Sequence, residues 1–452
     1  MNRKIILLIF LLFIQAIPAI SEEQGPIRDE KAREAPPTRD MITLSEGLRL
    51  VTQESRVIKI ARADEAMAEA DALKSRSALL PSLNGSLTYT SLAYQPTAIY
   101  SPPTGTVYIP QGQRDFYAYS VAIQQTLFDF RGNSSRYGAS KMMLETKKLD
   151  TRRVRNLIAL EFTVTYFDLL EAEKVVAVAE AEVGRLETHL RDAKALYAGG
   201  VITKNDLLQA EVRLSDSRAR LLTARNQKSI QVSRLNNLLL WPLRAETRVV
   251  EEGLPGMINF DIEAAWERAL KERPEILIAD GTLKALQLDE IAKKSDYYPK
   301  VFARGSYDYT QNRFQFYEGN WSLILGMNIN LFSGGSTRAD VMKNRSQQYQ
   351  LLEQRAKLVD DIRLEVQKYI LDLENARERN QVTRDAMEQA KENLRMNRVR
   401  YEEGVGTATE VLDAVNLMSV AETNYYRAIY DFRRAEAGFY YSTGKDLREV
   451  YR

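Results

Sequence analysis

The chain has 452 residues, with 63 Lys and Arg against 61 Asp and Glu for a net charge of +2, and it contains no cysteine. Near-balanced charge gives no electrostatic footprint for a nucleic-acid partner. The missing thiols remove disulfides, thiolate metal sites, cysteine nucleophiles and the lipid-bearing cysteine of a bacterial lipoprotein.

At the amino end Arg3 and Lys4 precede an apolar run from Ile5 to Ile14, and in Ala19-Ile20-Ser21 the alanine and serine supply small residues at the spacing of a cleavage site. Residues 1–21 therefore read as an export signal. The run is too short to span a bilayer, which takes about 20 apolar residues, and no later stretch is apolar enough to do so. Residues 22–43 are polar, contain Pro36 and Pro37, and read as a disordered leader.

Residues 44–240 and 262–445 then read as two copies of one unit, joined by a linker at 241–261 and followed by a tail at 446–452. The passage LLPSLNGSLTYT around Pro81 corresponds to YYPKVFARGSYDYT around Pro299, and Leu127–Glu211 matches Leu331–Val415 without a gap. A long gap-free internal match is stronger evidence of duplication than any short motif. Each copy runs helix, β-hairpin, long helix, tip, return helix. The hairpins are expected at 82–127 and 300–331, the long helices at 133–198 and 337–402, and the return helices at 203–238 and 407–442.

Alternate positions in the hairpins separate by polarity. Leu83, Leu87 and Tyr89 oppose Asn84, Ser86, Thr88 and Thr90, and Tyr117, Tyr119, Val121 and Ile123 oppose Ser120, Ala122 and Gln124. In the second copy Val301, Ala303, Tyr307 and Tyr309 oppose Arg304, Ser306 and Asp308, and Trp321, Leu323, Leu325, Met327 and Ile329 oppose Ser322, Asn328 and Asn330. A period of two marks strands with one greasy face, and roughly 9 to 11 residues suffice to cross a bilayer obliquely. Aromatic residues crowd these segments as interfacial girdles do; with the export signal, that favours membrane strands over two hairpins of a soluble sheet. Four strands cannot close a barrel, because the smallest outer-membrane barrels have about eight. Closure by oligomerisation follows from the strands alone, with two, three or four copies all open.

Proline is absent from Asn133 to Tyr197, where Asn133 is a candidate N-cap, and the run predicts a helix of about 65 residues, roughly 97 Å long. Ile158, Phe162, Thr165, Leu169, Ala172, Val176, Ala179, Val183, Leu186, Leu190, Ala193 and Tyr197 alternate steps of four and three, a coiled-coil seam. The second copy keeps the seam from Ile362 to Tyr401 with more polar entries, among them Asn380, Thr383 and Asn397. Helices at 45–80 and 203–238, about 36 residues each, together nearly match one long helix in length.

With the duplicated unit, the exits LFDFRG (from Leu127) and LFSGGS (from Leu331), and the tips LYAGGVITKNDLLQAEVRL and RYEEGVGTATEVLDAVNLMSVAE, the chain resembles the TolC-like outer membrane efflux proteins over nearly all of its mature length. Its most specific elements are the doubled tips, Gly200 with Thr203 and Asp206, and Gly404 with Thr407 and Glu410. The resemblance implies a mainly α fold with membrane β-hairpins, assembled as a homotrimer. A twelve-stranded β-barrel in the outer membrane would continue into a long α-helical barrel crossing the periplasm of a Gram-negative bacterium. It further implies a passive exit duct for a tripartite efflux or type I secretion system. The partners would be outer membrane lipid, a periplasmic adaptor (membrane fusion protein) and an inner-membrane transporter of RND, ABC or MFS type, with no cofactor.

Residue by residue, the tip loops 198–206 and 402–410 become the expected adaptor contacts. The segment after the second tip becomes the pore constriction, where Glu410 and Asp413 stand one helical turn apart. In a trimer they would form two stacked carboxylate rings, which favour cations. Thr407 and Glu410 also form a capping box, echoed by Thr203 and Asp206, so Glu410 has a structural role available as well. Tyr401 matches the family's latch tyrosine, whereas Gly406 stands where some members have a latching arginine. Two other classes compete with this reading. An enzyme lacks support: the single histidine, His189, sits among Glu187, Arg191 and Asp192 and is expected on the solvated surface, and no nucleophile elbow, phosphate loop or metal-ligand spacing is present. A periplasmic coiled-coil adaptor or scaffold would share the heptads, but it would carry soluble β-domains and a lipid anchor or membrane helix. The loop at 95–115, with four prolines, is expected to face outside.

Overall fold

The computed structural model describes residues 41–251 and 261–452. The export signal, the leader up to residue 40 and part of the linker, 252–260, lie outside the described residues.

In the first copy, β1 (Met41–Ile42) leads into α1 (Leu44–Glu54) and α2 (Arg56–Ser77), and β2 (Ser82–Ser91) precedes a small hairpin of β3 (Thr97–Tyr100) and β4 (Val107–Pro110). The loop at 95–115 is thus partly folded on itself. Next come β5 (Asp115–Phe128), the long helix α3 (Gly132–Ala198), the return helix α4 (Lys204–Leu238) and β6 (Arg248–Val249). The second copy repeats the plan as α5 (Ile262–Glu272), α6 (Pro274–Lys294), β7 (Lys300–Thr310), β8 (Gly319–Asn328), α7 (Ser336–Glu402) and α8 (Ala408–Ser442), and α9 (Leu447–Val450) closes the chain. Both long helices have 67 residues and both return helices 35, so each long helix extends about 100 Å.

Two local expectations are corrected. The first helix is not continuous from 45 to 80, because Ser55 leaves helical geometry at ψ 131 and divides α1 from α2. The second copy breaks at the corresponding place, where Arg273 is extended and Pro274 opens α6. The break lets α1 turn Leu48 and Val51 into the central core while α2 runs along α3. Asn133, in turn, does not cap α3: it is already inside the helix, and its backbone N–H donates to the Asp129 carboxylate at 2.6 Å. Gly132 is needed there because a Cβ would fall 2.3 Å from the Ser295 hydroxyl.

The helix α3 organises the rest. In the hairpin-proximal half it packs between α2 and α6, and in the tip half between α4 and α8, with α7 completing both layers. At its middle Phe162, Tyr166 and Leu169 anchor the main core with Leu48, Ile58, Leu235, Ile362, Val366 and Leu447. The Tyr166 hydroxyl lies 3.1 Å from the Ile42 carbonyl and 2.6 Å from that of Val250, tying the parallel pair β1–β6 to the helix.

One antiparallel sheet joins the two hairpins in the order β2-β5-β7-β8. Its register sets Leu83 opposite Ile123, Tyr119 opposite Tyr309 and Tyr307 opposite Trp321, so the apolar positions of all four strands share one face. Leu83, Leu87, Tyr117, Val121, Ile123, Trp321, Leu323, Leu325 and Met327 on that face are exposed. The opposite face carries serines, and the Ser306 and Ser322 hydroxyls hydrogen-bond at 2.8 Å. The sheet is open, with β2 and β8 at its edges. No helix among the described residues is long and apolar enough to cross a membrane.

Phe162 is fully buried where α1, α3 and the middle core meet. Phe162→Ala should cost about 3–5 kcal/mol, read as a lower denaturant midpoint for loss of helical circular dichroism in detergent. An unchanged midpoint would contradict the central packing described above.

Candidate functional site

The two helical tips are built alike because the same few residues terminate and restart the chain. After α3, Gly200 adopts a left-handed φ of 73°, and the N–H groups of Gly200 and Val201 donate to Tyr197 and Leu196 carbonyls at 3.0 and 2.9 Å. After α7, Gly404 does the same at φ 76°, with Gly404 donating to Tyr401 and Val405 to Arg400. A left-handed residue just past a helix end satisfies carbonyls that would otherwise lack donors, and glycine adopts it without a Cβ penalty.

Each return helix then starts from a capping box. Asp206 N–H donates to the Thr203 hydroxyl at 3.3 Å while Thr203 N–H donates to the Asp206 carboxylate at 3.0 Å. Glu410 N–H likewise donates to Thr407 at 3.3 Å and Thr407 N–H to Glu410 at 3.2 Å. Between glycine and cap, each tip presents one valine to solvent, Val201 at 68% and Val405 at 69% exposure. At Gly406 a Cβ would sit 3.0 Å from the Tyr401 nitrogen and 3.1 Å from the Arg400 carbonyl carbon, so the turn has little room for any side chain there.

Behind the tips lies a separate small core of Val183, Leu186, Leu214, Tyr401, Ala408, Val411, Leu412 and Val415. Tyr401 is only 7% exposed. Burial, reinforced by the Asp206 and Asp192 carboxylates, pushes its hydroxyl above the ordinary tyrosine value. Against it rests His189, with ring centroids 5.2 Å apart. His189 is 5% exposed, which overturns its expected place on the solvated surface. Its burial comes from the tip fold, which covers Val178, Glu182 and His189 of α3 in addition to the seam positions beside them.

The candidate constriction acids sit differently from one another. Glu410 is engaged in its capping box and stands 3.7 Å from Arg400. Asp413 is far more open, its side chain 67% exposed, with Arg213 of α4 at 4.0 Å. Neither arginine was singled out in sequence, since both pairings join residues that only the tip fold brings together. Further up, Glu187–Arg218, Glu180–Arg225 and Glu173–Lys228 link α3 to α4 at 2.7, 2.7 and 3.0 Å. Arg185 grips both oxygens of Glu422, joining α3 to α8. The site thus holds hydrogen-bonded turns, exposed valines and paired charges.

A family model described as outer membrane efflux protein matches residues 48–239 and 265–445. The chain is 23% identical over 331 residues to the outer membrane efflux protein BepC of Brucella suis, covering 72% of this chain and 71% of that one. It is 21% identical over 380 residues to the pyoverdine export outer membrane protein OpmQ of Pseudomonas aeruginosa, covering 83% and 80%. Among solved structures it is similar to the outer membrane protein VceC of Vibrio cholerae, with a TM-score of 0.78 at 18% identity over 89% of this chain and 96% of that one, a likeness of fold.

Removing either cap hydroxyl, by Thr203→Ala or Thr407→Ala, should cost about 1 kcal/mol locally. Amide hydrogen exchange should quicken in the first turn of α4 or α8 and remain unchanged at mid-helix; exchange that is equally slow in the variant would show that the box does not hold the tip.

Proposed function

The chain belongs to the outer membrane efflux protein family, and we propose that it is the passive exit duct of a tripartite efflux or type I secretion system, working as a homotrimer. It resides in the outer membrane of a Gram-negative bacterium, with its helices extending into the periplasm. The observation that carries the proposal is the open sheet β2-β5-β7-β8, apolar on one face and unpaired at both edges. Three such sheets joined edge to edge make a closed twelve-stranded barrel, which leaves no amide unpaired in lipid.

The helices support the same assembly. Val57, Ile60 and Met67 on α2 and Leu208, Val212 and Leu222 on α4 are exposed along one side of the layer, and Leu364, Leu371 and Val382 are exposed on α7, at the other. In the trimer these two sides meet and build the α-helical barrel beneath the strands. An adaptor or scaffold reading has no use for an apolar sheet face of this extent.

In this duct no bond is made or broken; an inner-membrane transporter of RND, ABC or MFS type delivers the cargo through a periplasmic adaptor. The adaptor docks on the tips around Gly200, Thr203, Asp206, Gly404 and Thr407, where Val201 and Val405 supply apolar contact. Asp413, with Glu410 above its cap, forms the constriction, and Tyr401 latches the tip from within.

Two measurements test this. The mature chain should stay in the membrane pellet after carbonate extraction and have the mass of three copies in detergent; release into the carbonate supernatant as a monomer would refute the barrel. In planar bilayers Asp413→Asn should reduce the preference for cations over anions, read as a shifted reversal potential in a salt gradient; an unmoved potential would remove Asp413 from the constriction.

A further inference from the structure

The contact between His189 and Tyr401 is unusual in this chain. It joins the only histidine to the candidate latch residue across two repeats. Both residues are buried in the tip core, and both have a polar atom there without a hydrogen-bond partner, Nε2 of His189 and the hydroxyl of Tyr401. A buried polar atom left unpaired is costly, so the tip core as folded here favours the neutral ring, which packs as a largely apolar disc.

We propose that His189 is the positioning residue of the tip gate, holding Tyr401 in the closed core when neutral and releasing it when protonated. The inference rests on the reading of Tyr401 as the latch and goes beyond it by naming the group that sets the latch and the signal it answers, proton concentration in the periplasm.

The electrostatic surroundings favour that direction. From its own helix Asp192 attracts a proton to the ring, and from α7 Arg398 repels it. Asp206, from the first turn of α4, faces Tyr401, and α8 contributes Val411 and Leu412 to the core. Burial is the largest influence and lowers the affinity of His189 for a proton. The open, hydrated state therefore binds the proton more tightly than the closed state. Closure contributed by this contact is complete above the ordinary histidine value of about 6.5 and is lost as pH falls below it. An imidazolium in the tip core would carry an Nε2–H that makes no hydrogen bond among the described residues as folded, and opening supplies water as an acceptor.

The experiment uses the full mature protein in planar bilayers, with conductance recorded from about pH 7.5 to about pH 5.5. Wild type should pass several-fold more current at the acid end. His189→Gln and His189→Leu, neither of which titrates, should flatten that profile, and trimer mass in detergent confirms that each variant is assembled. A wild-type profile that is flat, or a His189→Gln profile with the wild-type slope, overturns the proposal. Tyr401→Ala separates it from the reading beneath: if that variant raises conductance at neutral pH while His189→Gln keeps the wild-type slope, the latch stands and only the role of His189 falls. If Tyr401→Ala matches wild type at every pH, the latch and the proposal fall together.

Discussion

A backbone amide in hydrocarbon has no water to bond, and each unmet group costs several kcal/mol. A four-stranded sheet with one wholly apolar face and two open edges is therefore not a finished object in a membrane. The strands β2 and β8 carry those edges, and the helices below inherit the same two sides. On one side α2 and α4 stand end to end, and on the other α7 runs the full length. Exposed leucines, valines and methionines mark both sides. Edge amides and apolar helix sides thus call for the same kind of remedy, and in the proposed trimer another copy of the chain supplies both, the enclosed conduit being a consequence of meeting that need.

Within one chain the duplicated copies are not equivalent. In α3 the lower seam positions Ala179, Val183, Leu186 and Ala193 are all buried, whereas of the matching α7 positions only Ala390 is buried and Thr383, Met387 and Asn397 are half-exposed. The difference follows from location. The first long helix is central, touching α4 and α8 on its two flanks, and needs two buried stripes. The second is peripheral and needs one. Glu182 and His189 occupy the extra stripe, which explains how a charged residue and a titratable ring came to be buried in a helix that otherwise reads as half solvated.

Much of the architecture was legible in the sequence because it rests on local rules. Helix ends at the tips were readable from Gly200, Thr203, Gly404 and Thr407, since left-handed glycines and capping boxes act within a few residues. The strand faces were readable because a period of two survives whatever lies opposite. What was not legible depends on distant partners. Ser55 breaks a helix with nothing in its neighbourhood to announce it, whereas Pro274 announces the equivalent break. Asp129 displaced Asn133 at the start of α3 because of a turn that places its carboxylate over the first helical amides. Arg213 and Arg400 found their acids only after the tip had folded. The burial of His189 had only a faint signal, since Val178, Glu182 and His189 each stand one or two residues from a seam position and two of the three are polar.

That misreading also bears on where the molecule is stiff and where it is soft. The pair α3–α4 is braced along its length by interhelical ion pairs spaced from Glu173 to Glu187. Such exposed pairs are individually worth about 0–1 kcal/mol, but a series of them resists shear between two rods. In the tip half of α7, Arg395 and Arg398 turn back to Glu392 and Glu402 of the same helix, and the helix meets α8 through Arg379–Asp431 and Arg400–Glu410. The pair α7–α8 is tied to the braced pair by Arg434 with Asp168 and Glu171, by the Arg185–Glu422 fork, by Arg213–Asp413 and by the small core around Tyr401. The charged ties around Glu171 and Arg185 sit part-way along the helices, and the small core with the exposed Arg213–Asp413 pair stands nearest the tip. On the proposed reading of Tyr401 as a latch, loosening the small core would free the tip of α7–α8 while the main core near Phe162 keeps its own separate contacts, and the His189–Tyr401 contact is where a proton would act.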